Sequence, residues 1–199
     1  MTLFLVRHAQ AGSRASWSGT NDELRPLTAF GRYQSADLVG LLGEMGITEI
    51  RSSPFRRCLE TVSPLAAALG LDVIVDERLA EGPAEGAIAL ARLRAEASTL
   101  FCSHGDIIPA ILDHFRINDA LDLGSDPRCQ KGSTWICEPN RAWAGHFSQA
   151  TYLTPPVSSK PFLSGRTNSQ PATRADAVST KSKTKPNAKA NPNSNTRKG

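Results

Sequence analysis

Short apolar runs alternate with longer amphipathic segments along the first 155 residues, the pattern of strands laid beside crossover helices. Residues 2–6 read as a first strand. Thr28 reads as the cap of a helix whose Leu38, Leu41 and Leu42 recur at helical spacing, ending near Gly46. Residues 47–52 follow as a second strand. Ser53 then stands as N-cap with Pro54 at the first helical position, and that helix runs toward Leu69 and Gly70, with Pro64 expected to kink it. Residues 71–75 read as a third strand, 85–97 as a helix, 99–103 as a fourth strand and 107–115 as another helix. Residues 133–138 and 146–153, separated by the Pro139-Asn140 turn signal, look like a closing strand pair. The expected class is α/β, with a mostly parallel central sheet between helical layers.

From Pro156 the pattern breaks, and Ser, Thr, Asn, Pro, Ala and Lys take over, a composition that cannot repay the entropy of ordering. The expected organisation is one folded domain over 1–155 and a disordered basic tail over 156–199. The tail holds nine cations against Asp176 alone, a charge of +8, so the formal +4 of the whole chain leaves −4 on the core. The positive charge therefore gives no support to a nucleic-acid-binding domain. The tail's lysines lack interleaved aromatics for base stacking, so solvation is its simplest role and an acidic partner the alternative. No apolar run approaches the roughly 20 residues of a membrane span, and residues 2–6 are too short for a signal peptide, which points to the cytoplasm. Cys58, Cys102, Cys129 and Cys137 are scattered without a CxxC pair, so they are expected as buried thiols rather than zinc ligands or disulfides.

Charged residues cluster just past three strand ends: Arg7 and His8 after the first, Arg57 after the second, His104 after the fourth. In an open α/β sheet the carboxyl ends of strands face the ligand crevice, so these side chains are expected to converge. Cations gathered in one place are costly unless an anion compensates, and a phosphoryl group fits the fork of an arginine. Helix beginnings at Ser53 and Gly105 are expected to add backbone N–H donors.

The residues also carry a family resemblance. Leu5-Val6-Arg7-His8-Ala9 resembles the Arg-His-Gly signature of the histidine phosphatase superfamily, in the Arg-His-Ala form of short members similar to phosphohistidine phosphatases. Arg25-Pro26-Leu27-Thr28 with Gly31 resembles the segment leading into the family's first helix. Ser52-Ser53-Pro54-Phe55-Arg56-Arg57, with Thr61, resembles its Ser-Ser-Pro-x-x-Arg motif. Leu79-Ala80-Glu81 resembles the Leu-x-Glu acid motif, and Ser103-His104-Gly105 the second histidine motif. Lys131-Gly132-Ser133-x-Trp135 is similar to the closing strand of domains that follow Nudix domains in some bacterial proteins. These matches keep the family's order and span residues 1 to about 155, so the resemblance implies a phosphoglycerate mutase-like three-layer α/β/α sandwich.

The resemblance implies His8 as nucleophile, passing through a phosphohistidine intermediate, with Arg7, Arg57 and His104 on the phosphoryl oxygens, and no metal or cofactor. Imidazole, with a reference pKa of about 6.5, supplies a neutral nucleophile at cellular pH, and Arg7 is expected to hold His8 unprotonated. Glu81 is the expected acid for the leaving group, a role that asks for a carboxyl of raised pKa. Asp106 is the rival, since the acid phosphatase branch places an Asp directly after the second histidine, whereas here Gly105 intervenes; a helix N-terminal role is its plainer reading. Arg25 is expected either to reach substrate or to anchor its loop, and Arg56 to face solvent. His114 and His146 lack a motif, Trp135 and Trp143 read as core or strand-face residues, and Trp17 lies in the long loop after His8.

Arg57 follows His8 by 49 positions and His104 follows Arg57 by 47, which leaves little room for insertions roofing the pocket. An open site favours a hydrolase over a mutase and admits a phosphorylated small molecule, a nucleotide or a phosphohistidine protein. The leading expectation is a phosphomonoesterase or phosphoamidase. The alternatives are a nucleotide phosphatase, suggested by the Nudix-linked resemblance, and a catalytically silent phosphate-binding module.

Overall fold

In the computed structural model, residues 2–94, 97–125 and 127–157 are described, and the expected tail from 158 onward lies outside them. Six strands form one sheet: β1 (Leu3–Arg7), β2 (Glu49–Ser52), β3 (Val73–Val75), β4 (Thr99–Ser103), β5 (Thr134–Pro139) and β6 (Phe147–Leu153). Their order is β3-β2-β4-β1-β5-β6. The first four are parallel; β5 pairs antiparallel with β1, and β6 pairs antiparallel with β5. Four α-helices accompany it: α1 (Ala29–Leu42), α2 (Arg56–Leu69), α3 (Glu85–Leu93) and α4 (Ile107–Asp119).

The alternation of side chains along β1 builds both faces. Phe4 and Val6 join Leu38, Leu42, Val62 and Leu65 of α1 and α2 on one side. Leu3 and Leu5 join Leu90 of α3 and Ile108, Ile111 and Phe115 of α4 on the other. This is the three-layer α/β/α sandwich. Both faces of β4 are fully covered, which explains its continuous apolar run. No helix among the described residues is long and apolar enough to cross a membrane.

Several boundaries move inward. α1 ends at Leu42, and Gly46 is a turn residue with φ +69° rather than the helix end. β2 starts at Glu49 and β3 at Val73, while α4 extends past Phe115 to Asp119. α2 begins at Arg56 with Phe55 as its cap residue, so Ser53 is not an N-cap; its hydroxyl instead meets His104 Nε2 at 2.8 Å. The helix then continues through Pro64. Thr28 does cap α1, accepting from Gly31 N at 3.0 Å. Cys58, Cys102 and Cys137 are buried free thiols, and Cys129 is half-buried.

The start of α1 is locked to the loop that follows His8. Gln10 O accepts from both Thr28 N (2.9 Å) and Thr28 Oγ1 (3.0 Å). Gly31 fits against that carbonyl because it has no side chain: a Cβ there would lie 2.0 Å from Gln10 O. Gly31→Ala is therefore expected to destabilise the domain by about 1–3 kcal/mol, the usual cost of overpacking. The check is the midpoint of urea unfolding.

Candidate active site

The two strands at the centre of the six-stranded sheet, β1 and β4, run in register with Arg7 beside Ser103. His8 and His104 thus leave neighbouring strands side by side, and His8 N donates to Ser103 O at 3.0 Å. Their rings stand edge to face with centroids 5.4 Å apart, both buried. Geometry, not sequence proximity, makes them a pair.

His8 Nδ1 lies 2.8 Å from Ala9 O. A carbonyl only accepts, so Nδ1 carries the proton and the lone pair sits on Nε2. The imidazole's pKa is pulled down to about 3, first by burial and then by the charges of His104, Arg57 and Arg7, against the Ala9 carbonyl, which pulls the other way. Burial is the largest of these causes, and Arg7 adds to it in the direction the sequence suggests. The loop beyond is pinned from α2: Ala9 N donates to Thr61 Oγ1, which in turn donates to Arg57 O. From the sheet's other side, Gly132 N reaches both Arg7 O and His8 O at 3.1 Å. Gly132 adopts φ +81°, a backbone state that favours glycine.

Arg57 extends from the first turn of α2 and is completely buried. Its Nη1 donates to Asp22 O and Asp22 Oδ2 (both 3.1 Å), and Nη2 to Glu81 Oε1 (2.7 Å), with His104 Nδ1 3.3 Å away. Its guanidinium lies 4.5 Å over the Phe55 ring, which also meets His104 edge-on at 4.8 Å. Arg7 donates through Nη1 to Cys129 O, and its guanidinium packs so closely on Gly105 that a Cβ there would lie 2.6 Å from Cζ. Arg7 Nε and Arg57 Nε are both buried without a partner.

Glu81 follows a short 3-10 turn, Glu77–Leu79, whose Leu79 O accepts from Ser103 Oγ. Its carboxylate faces Arg57, His104 Nδ1 (3.4 Å) and the exposed Arg14 (2.6 Å). Asp106 accepts from Gly82 N at 3.0 Å, which ties the start of α4 to the loop carrying Glu81. Arg25 directs all three nitrogens to Asp22 and Gly12 O. Arg56 turns outward to Glu60. His114 sits half-buried on α4, His146 lies beside Asp119, Trp135 is in the core and Trp143 is exposed.

The arrangement thus brings together Arg7, His8, Arg57, Glu81 and His104, with Arg25 one carboxylate away. The residue that sequence reasoning missed is Asp22. It pairs with Arg57, Arg25 and Arg14 at once, and the Arg25 hydrogen bond above all holds its carboxyl well below the usual range. A signal for it existed: gathered cations call for an anion, and Asp22 precedes Arg25 by one turn of 3-10 helix capped by Asn21. Lys131 belongs to the same field, its pKa lowered by partial burial and by Arg7, Arg25 and Arg57. Among the described residues no His, Cys, Asp and Glu group is arranged to hold a metal ion.

Comparisons with known proteins bear on the family and the fold. The 8-oxo-(d)GTP phosphatase of Mycolicibacterium smegmatis is 30% identical over 161 residues, 78% of this chain and 48% of that protein. A protein named "Probable phosphoglycerate mutase GpmB" from Shigella dysenteriae serotype 1 is 37% identical over 81 residues, 41% of this chain and 38% of its own. The chain thus spans about half, or less, of the length of these curated relatives. Among solved structures, the protein histidine phosphatase SixA complexed with tungstate matches with a TM-score of 0.60 at 20% identity, covering 77% of this chain and 95% of that one. That likeness speaks for the fold. The model of the histidine phosphatase superfamily (branch 1) matches residues 3–89, the stretch that supplies Arg7, His8, Arg25, Arg57 and Glu81, and it is this superfamily that the chain resembles.

Proposed function

We propose that the domain is a metal-independent phosphatase that hydrolyses phosphomonoesters or phosphohistidine through a phosphohistidine intermediate on His8. One observation carries this reading: a neutral imidazole with its tautomer fixed is buried beside two guanidiniums that still hold unpartnered N–H groups. An oxyanion satisfies those donors, and the SixA structure named above holds one, tungstate.

In the first step His8 Nε2 attacks phosphorus, forming the N–P bond as the bond to the leaving group breaks. The leaving atom takes a proton from Glu81. The ring becomes cationic, and the Nδ1–H bond to Ala9 O strengthens as that charge develops. Arg7, Arg57 and His104 meet the negative charge spread over the equatorial oxygens. In the second step water attacks phosphorus, its proton passes to the Glu81 carboxylate, and the N–P bond breaks to return neutral His8 and phosphate. For Arg57 to serve the phosphoryl group it must give up part of its hold on Asp22 and Glu81, which frees the Glu81 carboxyl for the leaving atom.

A second reading, a nucleotide phosphatase, is favoured by the name of the mycobacterial relative, 8-oxo-(d)GTP phosphatase. The chemistry at phosphorus is the same in both.

Purified protein is expected to turn over p-nitrophenyl phosphate in the presence of EDTA, with His8→Ala reducing turnover to background; phosphate binding without turnover in the native protein identifies a silent module instead. Glu81→Gln is expected to slow a poor leaving group such as glycerol by about 10²–10⁴-fold and p-nitrophenol far less, with Asp106→Asn as the control. Equal losses on the two substrates move the acid role to another group. By NMR, the His8 ring is expected to stay neutral down to pH 5, because burial penalises its charged form and places its titration at about 3; a midpoint near the ordinary value of about 6.5 contradicts this.

A further inference from the structure

A cleft of about 220 Å³ lies between the loop that follows His8 and the segment leading into α1, with Gly12, Ser13, Trp17, Arg25, Pro26 and Leu27 among its lining residues. Sites for drug-sized ligands run to about 300–1,000 Å³, so this one admits a single ring system rather than a whole nucleotide. Much of its polar wall is already engaged. Ser16 Oγ donates to Ser13 O, Thr28 Oγ1 bonds Gln10 O and Gly31 N, and each nitrogen of Arg25 donates to Asp22 or Gly12 O. The broadest flat surface the cleft offers a ligand is the indole of Trp17, with Pro26 and Leu27 beside it.

The indole is held in place. Trp17 Nε1 donates to Asn21 O at 3.2 Å, and Gly19 lies so close to the ring that a Cβ there would come within 2.4 Å of Cζ2. An aromatic side chain fixed by its own loop loses little freedom when a flat ligand stacks on it, which favours binding. The cleft is also joined to the chemistry. Arg25 forms its wall and pairs with Asp22, whose other oxygen reaches Arg57 Nη1 at 3.1 Å. One guanidinium and one carboxylate thus separate the cleft from Arg57, so a ring seated there is linked to phosphorus through a spacer rather than directly.

Resting on the phosphatase reading above, we propose that this cleft is the leaving-group subsite and that it takes the base of a nucleoside 5′-phosphate, with the sugar spanning the Asp22–Arg25 pair. Guanosine 5′-monophosphate and ribose 5-phosphate share the scissile ester and differ by the base, so they isolate the subsite. The native protein is expected to show a higher kcat/KM on the nucleotide. Trp17→Ala is expected to lower that value about tenfold through KM, a loss within the range of base–aromatic stacking, and to leave ribose 5-phosphate unchanged. Trp17→Phe, which keeps an aromatic face, is expected to retain most of the preference.

Equal losses on both substrates would show that Trp17 only supports the loop bearing Asp22, and no change on either would empty the cleft of a role; each result overturns the proposal. If the native protein turns over neither phosphate ester nor p-nitrophenyl phosphate, the phosphatase reading fails by itself. Calorimetry with the same two ligands then decides the subsite: tighter binding of the nucleotide, lost in Trp17→Ala, sustains it, and equal binding overturns it.

Discussion

A guanidinium with no exposed surface is the interaction on which the rest of this site depends. Burying an unpaired cation costs several kcal/mol, and Arg57 is covered completely, so its neighbours must supply the missing charge. They do so from two directions: Asp22 comes from the loop before α1, and Glu81 from the turn before α3. The Phe55 ring covers the face of the guanidinium. Two surface loops far apart in sequence are thereby drawn over the ends of β1 and β4. The same two carboxylates hold Arg14, and Asp22 also holds Arg25, so a single buried cation organises a five-membered charge cluster. Binding of an oxyanion to such a cluster is an exchange of counter-ions rather than the filling of a bare positive pocket, and the affinity it reaches is the difference between two sets of ion pairs.

The sheet sets where that exchange happens. Register places Arg7 against Ser103, so the residues that follow, His8 and His104, sit at one level of the sheet without help from any loop. Ser53, at the end of β2, meets His104 Nε2, so the exit of a third parallel strand fixes the second imidazole. Gly132, just before β5, holds the carbonyls of Arg7 and His8 from the antiparallel side. The backbone around His8 is thus clamped by strands on both flanks of β1, which fixes where its imidazole stands.

Much of this was legible in the sequence, because the fold is written in patterns with physical periods. The apolar runs of β1 and β4, Thr28 as a cap, and the order of the Arg7-His8, Arg57, Glu81 and His104 motifs all survive into the structure. Ser53 misled for a definable reason. Serine before proline satisfies the local grammar of a helix start, but its hydroxyl gains more by bonding a buried imidazole, and α2 begins two residues after Pro54. Asp22 was obscured by its setting, a polar loop rich in Asn, Ser and Gly with no periodicity to separate it from its neighbours. Arg7 does help to keep His8 neutral, but the larger cause, burial, is a property of the packed molecule, and a sequence shows charges more readily than it shows desolvation.

The division of labour among the cations follows from what each has already given away. Each nitrogen of Arg25 already donates, to Asp22 or to Gly12 O, and the guanidinium fixes the place of the Asp22 carboxylate. Arg7 and Arg57 each keep a buried Nε–H without a partner, a cost that folding alone gives no reason to bear. Both guanidiniums stand close to the paired imidazoles of His8 and His104. Arg14, exposed and paired to both carboxylates, is the easiest of the five to move, since an exposed ion pair contributes little and its long side chain regains freedom on release.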